Sequence, residues 1–266
     1  MERERPSYPV QSLERAIRLL EVLREADRPM AIVELSARLD LGASAVHRYL
    51  DTLVYHGLVE QDPETLKYSL GVRFVEFGAS VIRRLGFGER VRPYLERLAA
   101  EVGETVNLSI PDGGSALFID KIESQEFLRT ATHVGARVPL NCTGMGKAML
   151  AYLPEAELAA GLEAYSPVAY TPNTITDRTT LRAHLALIRR QGYAVDDEEY
   201  IAGVRCVGAP IFSPGGRVVA ALSVSGPASR LTPERIRDVA PRVKEIAQEI
   251  SARMGMELAL WQRVPA

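Results

Sequence analysis

The chain has 266 residues, which at roughly 150 residues per domain leaves room for about two units, or one with an appendage. Hydrophobic residues make up 47% and charged residues 25%, too much apolar side chain for a disordered chain. The 32 Lys+Arg against 34 Asp+Glu, net −2, exclude a global positive field that would gather it onto nucleic acid or acidic membrane.

Only Cys142 and Cys206 are present, which argues against a disulfide framework or a cysteine-built zinc site and suits a reducing cytoplasm. No window approaches the roughly 18 apolar residues that span a bilayer, and 1–6 are followed by no apolar leader. The expectation is a soluble cytoplasmic protein with no membrane segment, metal or cofactor.

In chain order, Leu13, Ala16, Ile17, Leu20 and Leu23 fall at helical spacing behind Ser12 as N-cap and predict a helix ending near Asp27. Ile32, Leu35 and Leu39 predict a second, closed by a left-handed turn at Gly42. A third opens at Ser44, with Val46, Tyr49, Leu50 and Leu53 on one face and Ser44, His47, Arg48 and Asp51 on the other. Residues 58–61 and 66–70 flank a Pro-containing turn and read as a β-hairpin. Residues 72–85 return to helical spacing and Gly86-Phe87-Gly88 interrupts it, so 72–88 is read as a linker between a domain over 9–71 and one over 89–258.

Beyond Gly103 the period changes. Strand-like runs at 105–110 and 116–122, and at 204–212 and 217–224, flank Gly-Gly turns, with helical segments near 144–153, 154–164, 178–191 and 233–256. This pattern predicts an α+β domain, an antiparallel sheet covered by helices, and not a doubly wound parallel sheet.

Three short helices and a hairpin are the elements of a winged helix-turn-helix, whose third helix lies in the DNA major groove. Ser44, Ala45, His47 and Arg48 offer a small, polar, hydrogen-bonding surface for it, and Lys67 in the wing and Arg3 and Arg5 in the arm add phosphate or minor-groove contacts. Residues 1–70 hold 9 Lys+Arg and 12 Asp+Glu, a balance of −3, which keeps open a module that contacts other proteins instead.

In the C-terminal half, Gly144-Met145-Gly146-Lys147-Ala148 lacks the spacing of a Walker loop, with Asn141 and Ala148 where a glycine and a hydroxyl belong. Its glycines either free backbone N–H groups for a small anion or serve close packing. Ser223 and Ser225 project from one face of an otherwise apolar strand. Cys206 reads as a buried thiol, and Asp196 heads an acidic run that by default is a solvated loop. His133 and His184 are the only histidines there and stand in no catalytic motif, so an enzyme acting on small acids is the weaker alternative.

The strings VQSLERAIRLLEVL (10–23), SAVHRYLDTLVYHGLVEQ (44–61), YSLG (68–71), LNCTGMGKAMLAYLP (140–154) and EEYIAGVRCVGAPIFSPGGRVVAALSVSGPASRLT (198–232) resemble the IclR family of transcriptional regulators. The resemblance implies a winged helix-turn-helix, a linker helix and a GAF-like effector-binding domain, acting as a homodimer or dimer of dimers on double-stranded operator DNA. It further implies effector contacts at Gly144, Met145, Asp196, Cys206, Ser223 and Ser225. The expected function is a regulator, commonly a repressor, controlled by a small organic acid held by the 144–145 backbone and the two serines, with Asp196 accepting from a ligand hydroxyl. The chain departs from the pattern at Ala31, where relatives cap the second helix with Ser or Thr, at Gly42 to Ala45, and at Met145, where a smaller residue is common.

Overall fold

A computed structural model describes residues 7–163 and 167–256, and the chain divides between Leu85 and Gly86 into two units. Arg3 and Arg5 fall in units of chain outside the described residues.

The first unit holds α1 (Gln11–Ala26), α2 (Ile32–Leu39), α3 (Ala43–Tyr55), β1 (Val59–Gln61), β2 (Tyr68–Leu70) and α4 (Arg73–Leu85). Its core gathers Leu19 and Leu23 of α1, Met30 between α1 and α2, Leu35 and Leu39 of α2, Val46, Leu50 and Leu53 of α3, and Val59 and Tyr68 of the wing. β1 and β2 pair antiparallel, and Met30 bridges to Tyr68. Asp62 Oδ1 accepts the backbone N–H groups of Glu64 and Thr65 at 3.0 and 2.7 Å and fixes the wing turn.

Three local expectations are corrected. The N-cap of α1 is Val10 and not Ser12, and it makes no side-chain cap bond. The left-handed residue that closes α2 is Asp40 (φ 53), while Gly42 is extended and caps α3, which opens at Ala43 rather than Ser44; aspartate tolerates this conformation better than most residues. On α1 the buried pair is Leu19 and Leu23, while Leu13 and Ile17 stay 59% and 48% exposed. Apolar spacing marks a face but does not say what covers it.

The second unit holds α5 (Arg92–Val102), β3 (Thr105–Asp112), β4 (Ser115–Ile122), β5 (Arg137–Pro139), α6 (Gly144–Leu150), α7 (Glu155–Glu163), α8 (Arg178–Gln191), β6 (Ala194–Asp197), β7 (Val204–Phe212), β8 (Val218–Pro227) and α9 (Pro233–Arg253). The sheet is antiparallel throughout, in the order β5-β4-β3-β8-β7-β6. The architecture is thus α+β, with a helix-turn-helix unit followed by an antiparallel-sheet unit. Gly113 and Gly114, both at positive φ, turn the β3–β4 hairpin.

Alternation sorts the strands into two faces. Val106, Leu108, Val207, Ala209, Leu222 and Val224 are fully buried on one, and α5 and α9 pack on this sheet. The other face carries Thr105, Asn107, Ser109, Cys206, Gly208, Ser223 and Ser225, and α6 packs there.

At the start of α2, the Ala31 N–H donates to Glu34 Oε2 at 2.8 Å, half of a capping box, but alanine has no side-chain acceptor for the return bond. Ala31→Ser supplies it at an already extended N-cap (φ −76, ψ 154) and is expected to stabilise the protein by about 0.5–1 kcal/mol. Urea unfolding of the two proteins checks this; no gain in the midpoint would disprove it.

Candidate functional site

The helix predicted to meet DNA presents the expected surface. Ser44, His47 and Arg48 are exposed along α3, Ala45 is half-buried, and Lys67 is exposed at the entry to β2. His47 Nδ1 lies 2.9 Å from Asp51 Oδ2, one turn on, which orients the ring and leaves Nε2 outward. Val46, Leu50 and Leu53, locked in the core, fix the rotation of the helix.

The second candidate surface is the hydroxyl-bearing face of the large sheet. Opposite residues of paired strands share a face, so Asp196, Cys206, Ser225 and Thr105 form one row, and Gly208, Ser223 and Asn107 the next. Gly144 and Met145 start α6 directly above. A Cβ on Gly208 would lie 2.5 Å from Gly144 C and 2.6 Å from Met145 N, so the helix rests backbone to backbone on β7. The six residues singled out in the second unit are therefore brought together, and the glycines serve close packing. The Thr143 hydroxyl caps α6 by accepting from the Gly146 N–H at 3.2 Å.

Asp196 is not in a solvated loop. It sits on β6, is 2% exposed, and its Oδ1 accepts the Glu199 N–H at 2.8 Å. Burial pushes its carboxyl up to about 7, with the charge of Glu199 adding and the Glu199 N–H and Lys147 opposing. Cys206 is half-buried; loss of water around its thiol, then the Asp196 charge, raises its pKa, so it is no nucleophile at neutral pH.

Sequence reasoning missed Lys147, which is 0% exposed. Its Nζ donates to the Val195 carbonyl at 2.6 Å and pairs with Glu199, tying α6 to β6 and to the turn that follows it. It also missed Asn107 and Ser109 on β3, although the alternation Thr105, Asn107, Ser109 is the signal that exposed Ser223 and Ser225. Asn107 Nδ2 donates to Ser225 Oγ at 3.2 Å, and its Oδ1 accepts from the Thr132 hydroxyl at 3.1 Å.

Among the described residues the buried side-chain polar atoms without a hydrogen-bond partner are Ser109 Oγ, Thr130 Oγ1, Asn141 Nδ2, Glu199 Oε2 and Ser223 Oγ. Ser109 and Ser223 lie on this face, and Glu199 is in the turn after β6, bonded to Lys147 and Asp196. Native interiors satisfy nearly all such groups. An open groove of about 730 Å³ lies elsewhere, beside Tyr94, Arg97, Glu249 and Arg253, but there Arg97 is already paired with Glu249. Among the described residues no cluster of His, Cys, Asp and Glu could hold a metal ion, and no helix is long and apolar enough to cross a membrane.

A winged helix-turn-helix followed in the chain by a separate antiparallel-sheet domain is the architecture of a class of DNA-binding regulators. The "IclR helix-turn-helix domain" matches residues 12–63 and "Bacterial transcriptional regulator IclR C-terminal" matches 79–252. The chain belongs to the IclR family of DNA-binding transcriptional regulators, which are not enzymes.

It is 36% identical over 246 residues to the HTH-type transcriptional regulator XynR of Escherichia coli, covering 92% of this chain and 98% of that protein. It is 34% identical over 247 residues to the repressor AllR of the same species, covering 93% and 91%. An IclR homologue from Microbacterium hydrocarbonoxydans, solved with 4-hydroxybenzoate, superposes with a TM-score of 0.80 at 27% identity, covering 91% of this chain and 98% of that one.

Because the atoms facing Gly208 are backbone, no rotamer change relieves a methyl there. Gly208→Ala is expected to destabilise the protein by about 2–3 kcal/mol. Gly215→Ala, where nothing lies within 4 Å, is expected to stay within about 0.5 kcal/mol. Equal unfolding midpoints for the two variants would contradict this packing.

Proposed function

We propose that this protein is a repressor released or recruited by a small organic acid, bound at the hydroxyl face of the sheet by Ser223, Ser225 and the backbone at Gly144 and Met145, next to Asp196 and Cys206. Asn107 and Ser109 extend the same polar row. The observation that carries the reading is Ser223 Oγ, buried and unpartnered beside Ser225 and Asn107. A carboxylate oxygen is a strong acceptor for such hydroxyls. The acid bound by the Microbacterium homologue supports the ligand class, and the repressor name of AllR supports the sign.

On the DNA side, Ser44, Ala45, His47 and Arg48 read base edges and Lys67 meets phosphate, with 9–71 as the DNA-binding domain, 72–88 as linker and 89–258 as effector domain. Arg48 is the residue suited to bidentate guanine recognition. The effector acts by binding one arrangement of the paired recognition helices better than another.

The test is fluorescence anisotropy on the DNA upstream of the gene, alone and with a panel of small carboxylic acids that includes 4-hydroxybenzoate. Arg48→Ala is expected to weaken the specific complex by about 1–3 kcal/mol. Ser223→Ala/Ser225→Ala is expected to keep DNA binding and lose at least about tenfold in acid affinity. Unchanged acid affinity in the double variant removes the site assignment.

Pairing on DNA needs a homodimer. Leu13 and Ile17 on α1, and Phe74, Phe77 and Val81 spaced along one side of α4, are exposed apolar residues within the first unit; a second copy of the chain is the covering that fits operator half-sites. Phe77→Glu is expected to shift sedimentation toward the monomer and to weaken operator binding with it. A variant that stays dimeric rejects this surface.

A further inference from the structure

The hydroxyl face carries several titratable groups. The titratable groups that face it are Asp196 from β6, Glu199 and Tyr200 from the turn after it, Cys206 from β7, Lys147 from α6, Cys142 just before α6, and Lys121 from β4, opposite Asn107. His184 of α8 stands near Lys147 and is held neutral, its pKa pushed down to about 4 by burial and then by that lysine. Burial pushes the Cys142 thiol up to about 12 and raises Cys206 as well, so both are uncharged.

The cations are spoken for. Lys147 pairs with Glu199, and Lys121 Nζ donates to Glu123 Oε1 at 2.8 Å. Asp196 is left: nearly inaccessible, accepting from the Glu199 N–H through Oδ1, with the Tyr200 N–H and the Cys206 thiol also bonded to its carboxylate, Lys147 acting on it only at a distance, and no cation bonded to it among the described residues.

Adjacent strands are about 4.8 Å apart, and Asp196, Cys206 and Ser225 stand on three successive strands. A carboxylate held by Ser223 and Ser225 therefore brings a second uncompensated negative charge within roughly 10 Å of Asp196. Like charges at that range shift a buried carboxyl toward its protonated form by roughly tenfold in the protonation equilibrium.

We propose that the protein takes up its acid effector together with a proton, carried by Asp196, so that occupancy reports pH as well as metabolite. This rests on the effector reading above. The protonated carboxyl then donates, and the matching ligand group is a carbonyl or second carboxylate oxygen rather than the hydroxyl first expected.

The experiment is titration calorimetry of the full-length protein with a panel of 4-hydroxybenzoate and two- to four-carbon 2-oxo and 2-hydroxy acids. The strongest binder is measured from pH 6 to 8.5, in phosphate and in Tris, whose ionisation enthalpies differ. The carboxyl groups of these acids are ionised over that whole range and the aliphatic ones carry no other group that titrates in it, so with the 2-oxo and 2-hydroxy acids any proton exchanged belongs to the protein, and 4-hydroxybenzoate, whose phenol ionises near the top of the range, is compared only below about pH 7.5. Because the complex holds more protons than the free protein, affinity must fall as pH rises.

Expected are uptake of about half a proton between pH 7 and 8, little at pH 6, and roughly threefold weaker binding per pH unit across that range. Asp196→Asn is expected to bind with neither proton uptake nor pH dependence. Binding at pH 8 without proton exchange overturns the proposal and leaves the effector reading standing, with charge balance then assigned to Lys121 released from Glu123. Failure of every acid to bind at any pH overturns both.

Discussion

The second unit depends on one close approach, the first turn of α6 lying backbone to backbone on β7 through Gly144 and Gly208. It brings Lys147 inside, where the ammonium is wholly cut off from water and must find oxygen. The Val195 carbonyl and Glu199 supply it. A buried ion pair contributes little net stability, because desolvation offsets most of the attraction. What this one does is positional: it ties the short edge strand β6, and the turn that follows it, to the helix. Asp196 sits on that strand and is thereby held beside Cys206 and Ser225. The Thr171 and Thr174 hydroxyls fasten the same turn from outside by donating to the Glu199 carbonyl at 3.1 and 2.6 Å.

The first unit achieves its geometry with less. Its core is almost wholly aliphatic, and the corners are made by single residues with the right backbone tolerance, such as Asp40 closing α2. The outcome is a third helix whose buried stripe leaves His47 and Arg48 no choice of side. This explains why a negative balance over 1–70 is compatible with membership of a DNA-binding family. Recognition depends on the few groups that reach the groove and on local phosphate contacts, not on the sum over a domain that also carries acidic residues on other faces.

Much of this was legible in the sequence, for a physical reason. Helices α3, α8 and α9 and the strands β3, β4, β7 and β8 are long enough for their apolar period to repeat, and glycine pairs mark both hairpin turns. The edge strands β5 and β6, of three and four residues, are too short to show a period. That shortness is why Asp196 looked solvated: an acidic run is buried only when a partner strand and a lysine wait for it, and both come from distant sequence. Leu13 and Ile17 mislead in the opposite direction. The chain writes the same apolar letter for a residue that faces its own core and for one that faces solvent as a monomer.

The hydroxyl face also explains where stability and binding exchange places. Ser109 and Ser223 leave water without gaining a partner, and each such group costs on the order of 1–3 kcal/mol. Alanine at either position would remove that cost, so a sheet selected only for stability would not keep them. A ligand that satisfies them binds the folded state alone and recovers the deficit as affinity, stabilising the unit in proportion to the logarithm of its concentration over Kd.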